Sequence, residues 1–326
     1  MLFIVATHSV LAEVKTNKFW NIDHLKVLAN GHHYGIAIPP SNGMEFITMV
    51  REGNLVTIYK KADSESECLY KESVRYACNG EYEDIHQIAY YDNGIYIANT
   101  GFNSVVYYSF YTLSPERFFL NGFQQDVNHV NSVYPCGSNL LLVMLNNRGA
   151  KPSEVALIKR NPGTGFEVQK HFSLPDKECH NIFVDEKFLV YNASKDGDFV
   201  VINLNSGDEI RRIHFPGYAK GLSVTQAYFI TGYSEIALRE DRNDSQGYLS
   251  IINRKTLEVE NCINLSHSQF NQHIGNVNEV RCLSEIDYGH SCLVLESINL
   301  EKINLTSNDF SHPIKIKKSD TITSPF

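Results

Sequence analysis

The sequence predicts an all-β protein: a β-propeller, six blades closed by strands from both termini, with seven blades as the alternative count. Three observations carry this. Helical periodicity is nearly absent along the 326 residues. Segments of about 40–55 residues repeat one grammar. Both ends of the chain carry pieces of a further unit.

The grammar is a short strand, a turn, a β-rich apolar strand, a polar loop and an alternating strand, with a fourth strand where there is room. Residues 84–110, DIHQIAYYDNGIYIANTGFNSVVYYSF, display it most fully. Residues 127–159 begin VNHVNSVYPCGSNLLLVMLNN, residues 178–204 read ECHNIFVDEKFLVYNASKDGDFVVINL, and residues 218–253 begin YAKGLSVTQAYFITGYS. Residues 31–59 give a fainter copy. Turns are signalled by Asp92-Asn93-Gly94, Gly137-Ser138-Asn139 and Asp185-Glu186. DEIRRIHF and TLEVENCINL read as fourth strands. Val, Ile, Tyr, Phe and Thr dominate the runs, as pleated and packed sheets require. Four-stranded units of this length are the signature of propeller blades. First strands start near His33, His86, His129, His180, Lys220 and Asn276, which makes six.

At the N-terminus, LFIVATHSVLAEVK resembles the second and third strands of other units. Near the C-terminus, NVNEVRCL is a last first strand, followed by SCLVLES. One blade built from both ends removes the edges that an open ring would expose. Residues 1–326 therefore form one domain, with 308–326 as a loosely ordered polar tail.

Composition narrows the function classes. The formal net charge is −8 with no basic stripe, which argues against a nucleic-acid partner. Seven cysteines, an odd number without a CxxC pair, point to reduced thiols and a cytoplasmic location. The opening MLFIVATHSV lacks a basic leader and reads as a strand, and no apolar run reaches membrane-spanning length. The loop EDRNDSQ at 240–246 reads as an exposed excursion.

The candidate site is positional. The first strand of a propeller blade is innermost, so equivalent positions ring the axis. His33, His86, His129 and His180 recur there, with Lys220 and Asn276 in the remaining places. Neutral imidazoles converging on one axis suit a transition metal ion: Fe, Mn, Zn or Cu. Asp84, Glu178, Asn131 and Asn181 are candidates to fix their tautomers. Lys220 would hold the anionic end of a small molecule in the central channel, and Asn131, Asn276, Asn278 and Glu279 would complete the substrate side. His32 or Tyr34 could replace His33 in the ring, and His273 could reach the mouth. A metal-free ligand site and a purely structural ring remain open, as does a non-enzymatic module that engages a protein partner through its rim. Whether the protein is an enzyme, and whether an oxidoreductase, lyase or hydrolase, stays open too.

WD40 and kelch signatures are missing. The units resemble instead the uncharacterised bacterial propellers of the DUF4915 and TIGR03032-like groups. The matching pieces are His129–Ser132, the IANTGFNSV segment at 97–105 and the GYLSIINRKTLEV…IGNVNEVRCL stretch. The resemblance implies the six-bladed fold and no established activity. In the lactonase-like six-bladed family a Glu, an Asn and an Asp hold a divalent metal near the axis. Glu279 and Asn131 could take two of those parts, although the family's full pattern is not present.

Overall fold

A computed structural model describes residues 1–39, 45–50, 55–61, 70–77, 84–111, 115–120, 126–137, 139–265 and 274–289. They form six four-stranded antiparallel sheets. The first blade is β4 (His33–Ala37), β5 (Glu45–Val50), β6 (Leu55–Lys61) and β7 (Tyr70–Ala77). The second is β8 (Ile85–Tyr91), β9 (Gly94–Asn99), β10 (Ser104–Ser109) and β11 (Pro115–Phe119). The third is β12 (Val130–Gly137), β13 (Leu140–Leu145), β14 (Glu154–Asn161) and β15 (Gly165–Ser173). The fourth is β16 (Cys179–Val184), β17 (Phe188–Ala193), β18 (Asp198–Asn203) and β19 (Glu209–His214). The fifth is β20 (Tyr218–Val224), β21 (Tyr228–Ser234), β22 (Gly247–Asn253) and β23 (Val259–Asn264).

The sixth blade closes the ring. Its order is β24 (Val277–Cys282), β1 (Leu2–Thr7), β2 (Val10–Thr16) and β3 (Ile22–Asn30). The C-terminal strand is innermost and pairs Cys282 with Phe3, Arg281 with Ile4 and Val280 with Val5. The N-terminal run thus supplies second and third strands, as its resemblance to those strands predicts. The innermost strands adjoin in the cyclic order β4, β8, β12, β16, β20, β24 and back to β4. Among the described residues helix is limited to two single 3-10 turns, and none is long and apolar enough to cross a membrane.

Inner strands that are apolar at nearly every position leave an apolar face on each side of a blade, and neighbouring blades bury these against each other. Between the third, fourth and fifth blades the packing is aromatic. Tyr134 meets Phe183 edge-on, with ring centroids 5.6 Å apart, and Phe183 meets Phe229 at 6.1 Å. Cys136, Cys179 and Cys282 are buried and Cys262 is exposed, and all four are free thiols. The SCLVLES segment, His273 and the 308–326 tail lie outside the described residues.

Candidate functional site

The axis is organised by a repeated irregularity. In each of the six blades, pairing between the innermost and second strands shifts near the start of the innermost strand, and in the third blade it shifts again between Pro135 and Gly137. The shifts fall between Tyr34 and Ile36, Ile85 and Gln87, Val130 and Ser132, His180 and Ile182, and Ala219 and Leu222. In the closing blade the shift falls between Val277 and Glu279, opposite Ala6 and Thr7. A bulge adds an unpaired residue and re-aims the side chains beside it. At the unpaired residue of each bulge, or one residue before it in the first and fourth blades, Tyr34, His86, Asn131, His180, Lys220 and Asn278 occupy one level. Two residues earlier, towards the N-terminal ends of the strands, lie His32, Asp84, His129, Glu178, Tyr218 and Asn276. One residue later lie Gly35, Gln87, Ser132, Asn181, Gly221 and Glu279.

Repeated hydrogen bonds support this register. His86 Nδ1 lies 2.8 Å from the Asp84 carbonyl and 2.8 Å from Thr100 Oγ1, while His180 Nδ1 lies 3.2 Å from the Glu178 carbonyl and 2.9 Å from Ser194 Oγ. Asn131 Nδ2 donates to the Cys179 carbonyl at 2.7 Å, and Asn278 Nδ2 donates to the His33 carbonyl at 2.9 Å. Each asparagine thereby ties its blade to the next. On the level above, Asp84, His129 and Glu178 share a left-handed backbone, with φ of 52°, 50° and 52°.

The two outer levels line an axial cavity of about 350 Å³. Its walls include His86, His129, His180, Lys220, Asn276 and Asn278, together with Tyr34, Asp84, Glu178 and Tyr218. His8, Asn146, Arg148, Arg239 and Arg242 reach it from the loops between second and third strands. These loop residues escape the sequence reading. His8 sits inside a run read as a plain strand, and Arg242 inside the loop read as an exposed excursion. The signal was their common place in the blade grammar.

Three sequence assignments need correction. His33 does not line the cavity. It sits one residue before the axial level, where the other blades place Ile85, Val130, Cys179, Ala219 and Val277, and it is fully buried. A one-residue step along a strand turns a side chain to the opposite face, so Tyr34 takes the axial place. Burial holds the His33 imidazole down at about 4, partly offset by its bond to the Asn30 carbonyl. Asn131 shares the level of His86 but is outside the cavity lining, because its amide is turned to Cys179. Glu279 lies one level too deep.

That deeper level is a hydrogen-bonded polar plug. The Glu279 carboxylate accepts from Gln87 Nε2 at 2.8 Å, from the Leu222 and Val280 amides at 3.0 and 3.1 Å, and from Arg281 Nη1 at 3.0 Å. Asn181 Nδ2 approaches it at 3.3 Å, while Asn181 Oδ1 accepts from the Gly221 amide at 2.7 Å. Glu279 and Arg281 are no more than 1 % exposed. A buried carboxylate survives only with such a set of donors, and here the set joins inner strands of several blades.

The histidines themselves are uniform in one respect. His86 and His180 point Nδ1 at carbonyl oxygens, and His129 Nδ1 lies 2.8 Å from the Asp126 carboxylate. These partners accept only, so in all three Nδ1 carries the proton. The rings do not lie on one level, however. His86 and His180 share a level with centroids 6.0 Å apart, and His129 sits above, 4.9 Å from His86. Among the described residues no three His, Cys, Asp or Glu side chains are grouped as a metal site.

Charge favours the opposite ligand sign. Lys220, Arg148, Arg239 and Arg242 line the cavity against the carboxylates of Asp84 and Glu178. Arg148 is engaged by Asp126, and Glu178 by Lys195 at 3.3 Å. Lys220 is the innermost of the four cations, 7 % exposed, with Nζ 4.8 Å above the Tyr34 ring and 3.4 Å from Asn278 Oδ1. Burial, reinforced by Lys220 and His129, holds the His180 imidazole well below its ordinary range. Burial and then Lys220 hold His8 down at about 3. Both are neutral at physiological pH.

No family model matches the chain, and no curated protein does. Solved structures do. A protein of unknown function from Bacteroides caccae is 14 % identical with a TM-score of 0.59, covering 86 % of this chain and 97 % of its own. A chain of the nidogen/laminin complex is 9 % identical with a TM-score of 0.57, again covering 86 % and 97 %. A "putative 6-phosphogluconolactonase" from Bacteroides fragilis is 11 % identical with a TM-score of 0.52, covering 79 % of each chain. Likeness at this identity shows the propeller fold alone. The comparisons support the propeller fold, and no match ties the chain to the DUF4915 or TIGR03032-like groups.

Proposed function

We propose that the protein binds a small anionic molecule in the axial cavity. The observation that carries this is Lys220, a buried cation on the inner level of a cavity where burial keeps His8 and His180 neutral. Arg239 and Arg242 join Lys220 in the lining, and hydrogen bonds from cationic donors to an oxyanion are the strong ones. A cavity of about 350 Å³ is at the small end of ligand sites. A thermal-shift panel of carboxylates and phosphate esters tests it. A ligand at 100 times its Kd adds about 2.7 kcal/mol, or roughly 4 °C for a domain of this size. The shift should vanish in Lys220→Met. A panel in which no anion shifts the wild type, or in which Lys220→Met responds equally, defeats the reading.

A second reading is a transition metal held by His86, His129 and His180. The fixed Nδ1 protons favour it, because metal-bound imidazoles are oriented by such second partners. The unequal levels and the neighbouring ammonium oppose it. Elemental analysis of the purified protein separates the two readings.

A further inference from the structure

We propose that the anion is seated on the wall shared by the fifth and closing blades, between His8, Lys220 and Arg242. The ligand would be a hydroxylated oxyanion, a small sugar acid or sugar phosphate whose hydroxyls face the imidazoles of His180 and His86. The proposal rests on the anion reading above and adds to it the seat and the ligand class.

Two unsatisfied atoms mark the seat. His8 is 7 % exposed and its Nδ1 is buried without a hydrogen-bond partner. Arg242 Nε is likewise buried and unpartnered. Both residues line the cavity with Lys220, and buried polar groups are ordinarily satisfied. The three come from different parts of the chain: the β1–β2 turn, the innermost strand β20 and the β21–β22 loop. Structure around them is ordered by packing. The Arg242 guanidinium lies 6.0 Å from the Tyr218 ring, which meets His180 edge-on at 5.8 Å. An oxyanion set there would accept from Arg242 Nε and Lys220 Nζ, and from His8 in its Nδ1–H tautomer.

The other half of the ligand follows from the imidazoles. His180 donates Nδ1–H to Glu178 and Ser194, so its Nε2 carries the lone pair. His86, across the ring from the fifth blade, points its Nδ1 at the Asp84 carbonyl in the same way. A neutral acceptor at His180 repels a second oxyanion and suits a ligand O–H. The cavity of about 350 Å³ equals some ten to twelve waters at about 30 Å³ each, which fits a molecule of monosaccharide size.

Titration calorimetry with D-gluconate, glucose 6-phosphate, glucose and inorganic phosphate tests both halves. Gluconate or glucose 6-phosphate should bind at least ten-fold more tightly than glucose or inorganic phosphate, and the preference between them tells carboxylate from phosphate. Arg242→Gln, on a loop and harmless to the core, should weaken binding ten-fold or more, and His8→Phe likewise, with urea midpoints confirming that both variants fold. If Lys220→Met abolishes binding while Arg242→Gln and His8→Phe bind as the wild type, the seat is overturned and the axial-anion reading stands. Inorganic phosphate binding as tightly as the sugar anions overturns the hydroxyl half. Glucose binding as tightly as gluconate, or no binding by either sugar anion, overturns the inference, and the thermal-shift panel decides separately whether the anion reading falls with it.

Discussion

Replacing Glu279 by alanine should cost the protein much of its stability without touching the cavity wall. The carboxylate is 1 % exposed and is the counter-ion of Arg281, which is fully buried, at 3.0 Å. Removing one member of a buried ion pair costs about 3–5 kcal/mol, because a desolvated charge is left behind. Gln87 Nε2, the Leu222 amide and the Val280 amide also lose an acceptor, each worth about 1–3 kcal/mol if nothing replaces it. Two effects reduce the total. The space left by the side chain can admit water, and the Asp287 carboxyl stays within electrostatic reach of Arg281. A loss of about 4 kcal/mol is expected, against a typical total of about 5–15 kcal/mol. Urea unfolding followed by fluorescence of Trp20, the single tryptophan, reads it directly. Trp20 packs edge-on against Tyr228 at 5.1 Å, between the closing and fifth blades, so it also reports ring closure. A loss below about 1 kcal/mol would refute the claim that Glu279 is the hub of the axis.

Acidification should destabilise the fold before carboxylates titrate. His8 and His33 are held down at about 3 and about 4 against an ordinary 6.5, and His180 is lowered as well. Below pH 6.5 the unfolded chain therefore binds more protons than the folded one, and stability falls with pH. By pH 5 the loss is about 2 kcal/mol for each of His8 and His33, seen as a falling urea midpoint between pH 7.5 and 5; a flat profile would contradict their burial as neutral groups. Gly221→Ala should cost about 1–3 kcal/mol, since the residue has φ of +89° and an added Cβ would meet the Glu279 backbone at 3.1 Å. An unchanged unfolding midpoint would mean that the fifth-to-closing contact at this level is loose.

Blade number and closure were legible because they depend on local features. Alternation, turn residues and repeat length are properties of contiguous segments, and NVNEVRCL declared itself a first strand lying far from its partners. Lys220, His86 and His180 were placed at the axis for the same reason. The level of each residue was not legible. His129 and His180 look equivalent in the sequence, yet each stands in a different relation to its bulge: His129 lies two residues before the unpaired Asn131, and His180 one residue before the unpaired Asn181. His33 was misplaced by one residue, which is enough to send it from the channel to the core.

The amino-acid sequence by itself determined an all-β ring of six blades, a closing blade shared by both termini, and a polar, histidine-rich axis, since each follows from period-2 patterning and repetition along the chain. Tertiary structure alone decided which polar residues became plug and which became wall. That choice depends on where each inner strand bulges against its neighbour, and on loops from separate blades that bring His8 and Arg242 to Lys220. Bulge register and loop approach are set by packing between blades, which acts across distances in the chain that no local pattern records.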